Sequence, residues 1–254
     1  MAAGTGLEND VANLFAAQRA VGGFATLPAD KRAAFIERQE ANRVTPGVGV
    51  DKIADKFIEQ IKATDAKLRS DAKENAWTTA QAAGVIRDAP AFNATDPQAV
   101  IGLLDYRMKN IAAVENWTGS KVSPMQPDEA EKLARQVRTL PIDQAATLLS
   151  GIGAKVGDAE RVAALAKQIH DKDGTLGLAM LYASAQTTQG RATAELVLRG
   201  EQALKDKRVV TDNAGETGWR GTIAKEMRGV YNNREAEDAA IQAAYLITGE
   251  DGRR

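Results

Sequence analysis

One stretch gathers the donor types a metal site would need: His170, Asp171, Lys172, Asp173 and Gly174. An imidazole and two carboxylates stand within four positions. The spacing nevertheless lacks the third oxygen ligand and the distal glutamate of a calcium loop. A histidine in the last turn of a helix is favoured by the helix dipole, and Asp-x-Asp-Gly is a common helix stop. These residues therefore read as a helix end, and no metal is assigned to them. His170 is the single histidine and there is no cysteine. Thiolate sites, disulfides and cysteine nucleophiles are excluded. One histidine at a helix end, with no Gly-x-Ser-x-Gly turn, argues against a serine triad.

A second stretch holds Gly151, Gly153 and Gly157 around Lys155. It approximates a dinucleotide-binding glycine loop, but the last glycine comes four positions after the second instead of three. The preceding residues also have helical spacing, where that loop needs a strand to aim it. The expectation is a glycine turn between two helices. Gly119, Ser120 and Lys121 lack the upstream glycine and the Lys-Ser/Thr order of a phosphate loop, and read as a loop. Glycoside cleavage needs an acid and a second carboxylate at one cleft. Candidates are Glu37, Glu40, Glu74, Glu115, Glu129, Glu131, Glu195, Glu216 and Glu226. None has the Glu-Ser setting of lytic transglycosylases, so all are read as solvated helix-face charges. Trp77, Trp117 and Trp219 stand at helical spacing among Ala and Val, and read as helix anchors. The basic groups at Arg135–Arg138 and Lys205–Arg208 lie at helix ends, where the dipole favours them. They lack the interleaved aromatics of a single-strand platform. No catalytic, cofactor-binding or metal-ligating residue is assigned, and no specific nucleic-acid site is evident.

The elements that must position these residues are helices. Alanine is the commonest residue in the 254-residue chain, and aromatics make up 5%. Alanine is the best helix former and lets helix axes approach; a β-rich chain needs more branched and aromatic residues. An amphipathic helix is expected over 8–21, closed by Gly22 and Gly23, and a second from Pro28 to about Asn42. Pro46, Gly47 and Gly49 mark a break. The longest periodic run is 51–86, with Ile53, Phe57, Ile61, Thr64, Leu68 and Ala72 on one stripe. A helix of about 30–36 residues would be about 45–54 Å long at 1.5 Å per residue; a kink near Trp77–Thr79 is the alternative.

Asp96 and Pro97 form a cap and first turn. Pro124 and Pro127 frame another start, with Asp128 and Glu129 in the first turn. Pro141 opens a helix ending at Leu149. Asp158 caps a helix whose face is Val162, Leu165, Ala166 and Ile169. Segments 176–186, 192–205, 219–230 and 234–247 complete about ten helices, with a loop at 208–217. The expected fold is all-α, an irregular multi-helix bundle or α-solenoid, divided into 1–124 and 125–254.

The charges nearly cancel, with 33 Lys and Arg against 34 Asp and Glu. No general drive toward nucleic acid follows. No apolar run reaches the ~18–20 residues needed to span a bilayer. The first fifteen residues lack the basic and apolar regions of a signal peptide. The loop-like end GEDGRR suits a piece of a longer polypeptide.

The phrases TLGLAMLYASAQTTQGRATAELVLRGEQALKDK, GWRGTIAKEM and AEDAAIQAAYLITGEDGRR resemble helical regions of internal virion and ejection proteins of tailed bacteriophages. The likeness covers about 125–254 and carries no catalytic motif. It implies a non-enzymatic protein of the particle interior, made in the host cytoplasm. Its partners would be other virion proteins or copies of itself. A peptidoglycan hydrolase with an unrecognised site and a helical adaptor of a bacterial assembly are the alternatives.

Overall fold

A computed structural model of the chain describes residues 21–42, 52–206, 218, 221–226 and 234–250. The fold is all-α, a multi-helix bundle, with no strand among the described residues. The expected helix at 8–21, except for Val21, the expected loop at 208–217, the break at 46–49 and Trp219 lie outside the described residues. The helices are α1 (Ala29–Asn42), α2 (Lys52–Ala82), α3 (Pro97–Thr118), α4 (Pro127–Val137), α5 (Ile142–Val156), α6 (Ala159–His170), α7 (Gly174–Ala183), α8 (Thr188–Lys205) and α9 (Arg234–Glu250). The chain divides into two compact units. One comprises 1–89 and 109–122; the other comprises 90–108 and 123–254.

In the first unit, residues 21–26 are helical straight through Gly22 and Gly23, correcting the expected stop there. Glycine costs a helix only about 1 kcal/mol relative to alanine, and burial of Phe24 against Phe35 offsets it. The organising residue is Arg32 on α1, which is 1% exposed. Its Nε donates to Asp65 Oδ1 of α2 at 2.7 Å, and its Nη1 donates to the Leu27 and Trp117 carbonyls. Its guanidinium lies 5.3 Å from the centre of the Trp117 ring. Trp117 in turn donates Nε1–H to the Ala25 carbonyl at 2.8 Å. Trp77 and Trp117 are thus buried helix anchors, as their setting implied.

The long helix is α2, but it is not one continuous rod. Asn75 has non-helical angles (φ −152°, ψ 79°). Its side-chain oxygen accepts from Thr78 N–H, so it restarts the helix as a cap would. The end comes at Ala82, short of Ile86. Gly84, at φ 77°, takes the left-handed turn, and Val85 N–H closes onto the Ala80 carbonyl.

In the second unit the expected caps hold. Asp96 accepts from Gln98 N–H at 2.9 Å and Asp158 from Arg161 N–H at 2.9 Å. Val162, Leu165, Ala166 and Ile169 form the buried face of α6. The glycine turn at 151–157 needs correction. α5 runs through Gly151 and Gly153 and ends only at Gly157, whose φ is 66°. A β-carbon on Gly153 would sit 2.8 Å from Ser184 Cα, a distance real side chains do not tolerate. Gly153 is there to let α5 meet the end of α7.

The same device recurs. A β-carbon on Gly177 would come within 2.6 Å of His170 Cα, and one on Gly190 within 2.5 Å of the Tyr182 carbonyl oxygen. One on Gly200 would overlap the Leu246 carbonyl. These four buried glycines set the crossings of α7 with α5, α6 and α8, and of α8 with α9. α7 sits at the centre, with Leu176, Leu178, Ala179, Met180 and Ala183 all buried.

Candidate functional site

Three chain segments converge on one guanidinium. Arg138 is the C-cap residue of α4, Asp173 the N-cap of α7, and Glu201 lies on α8. Arg138 Nε and Nη2 donate to the two Asp173 oxygens at 2.6 and 2.5 Å. Its Nη1 and Nη2 also donate to Glu201, the latter at 3.0 Å. Lys205, one turn along α8, pairs with Glu201 at 3.1 Å. Asp173 additionally accepts from Leu176 N–H at 3.0 Å, capping α7. Burial works to raise the Asp173 pKa. The Arg138 and Leu176 hydrogen bonds, with the charges of Arg138 and Lys205, outweigh it and hold the carboxyl below its ordinary value. Burial likewise opposes the Arg138 charge, and the two carboxylates push its pKa further up.

This cluster forms one end of a groove of about 1070 Å³. The exposed Ala163, Ala164 and Lys167 of α6 form one wall, with His170 at its end. Gly177, Leu178 and Leu181 of α7 make the floor, and Glu201, Lys205, Asp238 and Gln242 of α8 and α9 form the far wall. Leu181, at 43% exposure, is the one exposed large hydrophobic side chain among the described residues. The groove thus offers an apolar floor between charged rims, with its most polar end already neutralised from within.

The His170–Gly174 stretch is the helix end that its spacing implied. His170 is the exposed last residue of α6 and Asp173 caps α7. No group of three metal-capable side chains occurs among the described residues. Several of the candidate carboxylates hold partners of their own. Glu40 pairs with Lys62, Glu131 with Arg135, and Glu195 with Arg191 and Arg199. Glu115 accepts from Val122 N–H. Glu216 lies outside the described residues.

Glu129 corrects the solvated-face reading. It is 6% exposed and takes a two-pronged bond from the buried Arg107 of α3, at 2.5 and 2.8 Å. It also accepts from Gln126 N–H at 2.9 Å, completing a capping box. The Gln126-x-x-Glu129 spacing ahead of an apolar run was the local signal for it. Arg138 was read as a dipole-favoured terminal charge. It is instead the hub of the groove's polar end, and its partners, 35 and 63 positions away, left no local mark.

Compared with known protein families, curated proteins and solved structures, the chain shows no match to any of the three. No described helix is long and apolar enough to cross a membrane.

Proposed function

We propose that the chain is a non-enzymatic structural or ejection protein of a tailed-phage virion, acting through helix–helix assembly. The observation that carries the assembly part is the set of glycine crossings at Gly153, Gly177, Gly190 and Gly200, together with an open, apolar-floored groove that Gly177 lines. Helices that meet through Gly and Ala spread their buried area over many small side chains, and each contact contributes little. Such helices part and re-pack at low cost, which suits a protein that changes partners between a filled and an emptied particle. The virion part rests on the phrase likeness over 125–254. Its location would be the particle interior, and its partners other virion proteins or copies of itself.

Two measurements test the reading. Peptide mass spectrometry of purified particles should detect the chain alongside portal and capsid proteins. A peptidoglycan zymogram should show no clearing. Clearing abolished by a single Glu→Gln change would establish a hydrolase instead. Recovery of the chain only in a complex from uninfected cells would favour the bacterial adaptor.

A further inference from the structure

We infer that the groove between α6 and α9 is the contact face of a symmetric dimer, occupied by a second copy of this chain. The inference deepens the assembly reading above and rests on it, but its test is separate.

Three observations converge on the groove. Its floor carries Leu181, which is 43% exposed while the other large apolar side chains among the described residues are sheltered. Its α6 wall is slim, because Ala163 and Ala164 are exposed and present nothing beyond a β-carbon. A ridge of twelve residues, about 18 Å long at 1.5 Å per residue, is a shape that a groove of about 1070 Å³ can admit.

The third observation is charge. Lys167 on the α6 wall and Asp238 on the α9 wall are both exposed. Neither makes an ion pair among the described residues. At the polar end, by contrast, Arg138, Asp173, Glu201 and Lys205 satisfy one another and do not compete for an incoming charge.

A two-fold interface must be self-complementary: whatever one surface presents, the same surface must receive. A groove with a cation on one wall and an anion on the other meets that condition. When the α6 ridge of one copy enters the groove of the other, its Lys167 faces the partner wall's Asp238, and its Ala163 and Ala164 cover Leu181. The two-fold repeats each contact. Two short ridges make an interface at the small end of the specific range, so the dimer is weak and concentration-dependent.

Sedimentation velocity of the intact chain, over a concentration series reaching several hundred micromolar, tests this. The expected result is a reversible monomer–dimer equilibrium. Leu181→Glu should abolish it. Lys167→Glu and Asp238→Lys should each weaken association about tenfold or more, since each places like charges together twice. The double variant, with the charges exchanged, should recover association to within a few-fold of the original. All three substitutions are at exposed positions, and circular dichroism confirms that each variant is folded. The proposal is overturned by a chain that stays monomeric throughout, which would leave the groove to a different protein's helix. A dimer indifferent to Leu181→Glu, or a double variant no better than the singles, overturns it equally. None of these outcomes bears on whether the chain is found in particles.

Discussion

Gly200→Ala should destabilise this protein, although alanine is the better helix former. Gly200 is buried within α8, and a β-carbon there would overlap the Leu246 carbonyl oxygen and lie 2.6 Å from its carbon. Restoring an ordinary 3.4 Å contact to that carbon alone requires a shift of about 0.8 Å, and clearing the oxygen requires more. The obstruction is backbone, so no side chain can swing aside and α9 must move as a body. α9 brings Ala243 and Leu246 into the core, and displacing it loosens both. Overpacking of this kind costs about 1–3 kcal/mol, against a helix-propensity gain of about 1 kcal/mol. With backbone as the obstacle the upper part of the range applies, giving a net loss of about 1–2 kcal/mol.

Gly102→Ala is the control. Gly102 is exposed on α3 with nothing within 4 Å of its β-position, so alanine there should stabilise by about 0.4–1 kcal/mol. Urea unfolding of the two variants reads the difference, and amide exchange should show protection lost first in Arg234–Glu250. If Gly200→Ala stabilises as Gly102→Ala does, the close crossing of α8 and α9 is wrong.

Three further perturbations follow from the ion pairs. Arg107→Met strands the charge of Glu129, which is 6% exposed, and should cost about 3–5 kcal/mol in denaturant unfolding; adding Glu129→Gln, which keeps the capping box, should recover much of it. Arg32→Lys keeps the charge but loses the planar fork that reaches Asp65 and two carbonyls, and should cost about 1.5–3 kcal/mol, visible as a lower Tm. Asp173→Asn keeps a capping side chain and loses the carboxylate that Arg138 holds. The folded pKa of Asp173 is depressed, so its contribution is fully present above the unfolded value of about 3.9 and is lost as pH falls through the folded value. The variant should therefore be less stable than the parent at pH 7, with the gap closing as unfolding is measured below about pH 4.

What the sequence revealed and what it hid divide along physical lines. Caps are local, so Asp96 and Asp158 were readable from their own neighbourhoods. The all-α class was readable because alanine propensity sums over many turns. The interior glycines were not. A glycine that ends a helix and one that admits a neighbouring helix look alike in one dimension, and Gly153 differs from Gly157 only in meeting Ser184. The charge hubs were hidden for a related reason. Arg32, Arg107 and Arg138 find their acidic partners 33, 22 and 35 positions away, so no helical spacing announces them. Even the groove's one strong clue, an exposed Leu181 beside buried Leu178, needed the third dimension, because α7 reads as apolar on every side.

The most direct test of the central claim is to measure the chain in particles before and after they release DNA. Peptides covering 125–254 should appear at a fixed ratio to portal peptides in gradient-purified filled particles, and should be depleted from emptied ones. Filled particles that yield portal and capsid peptides but none from this chain would contradict the account.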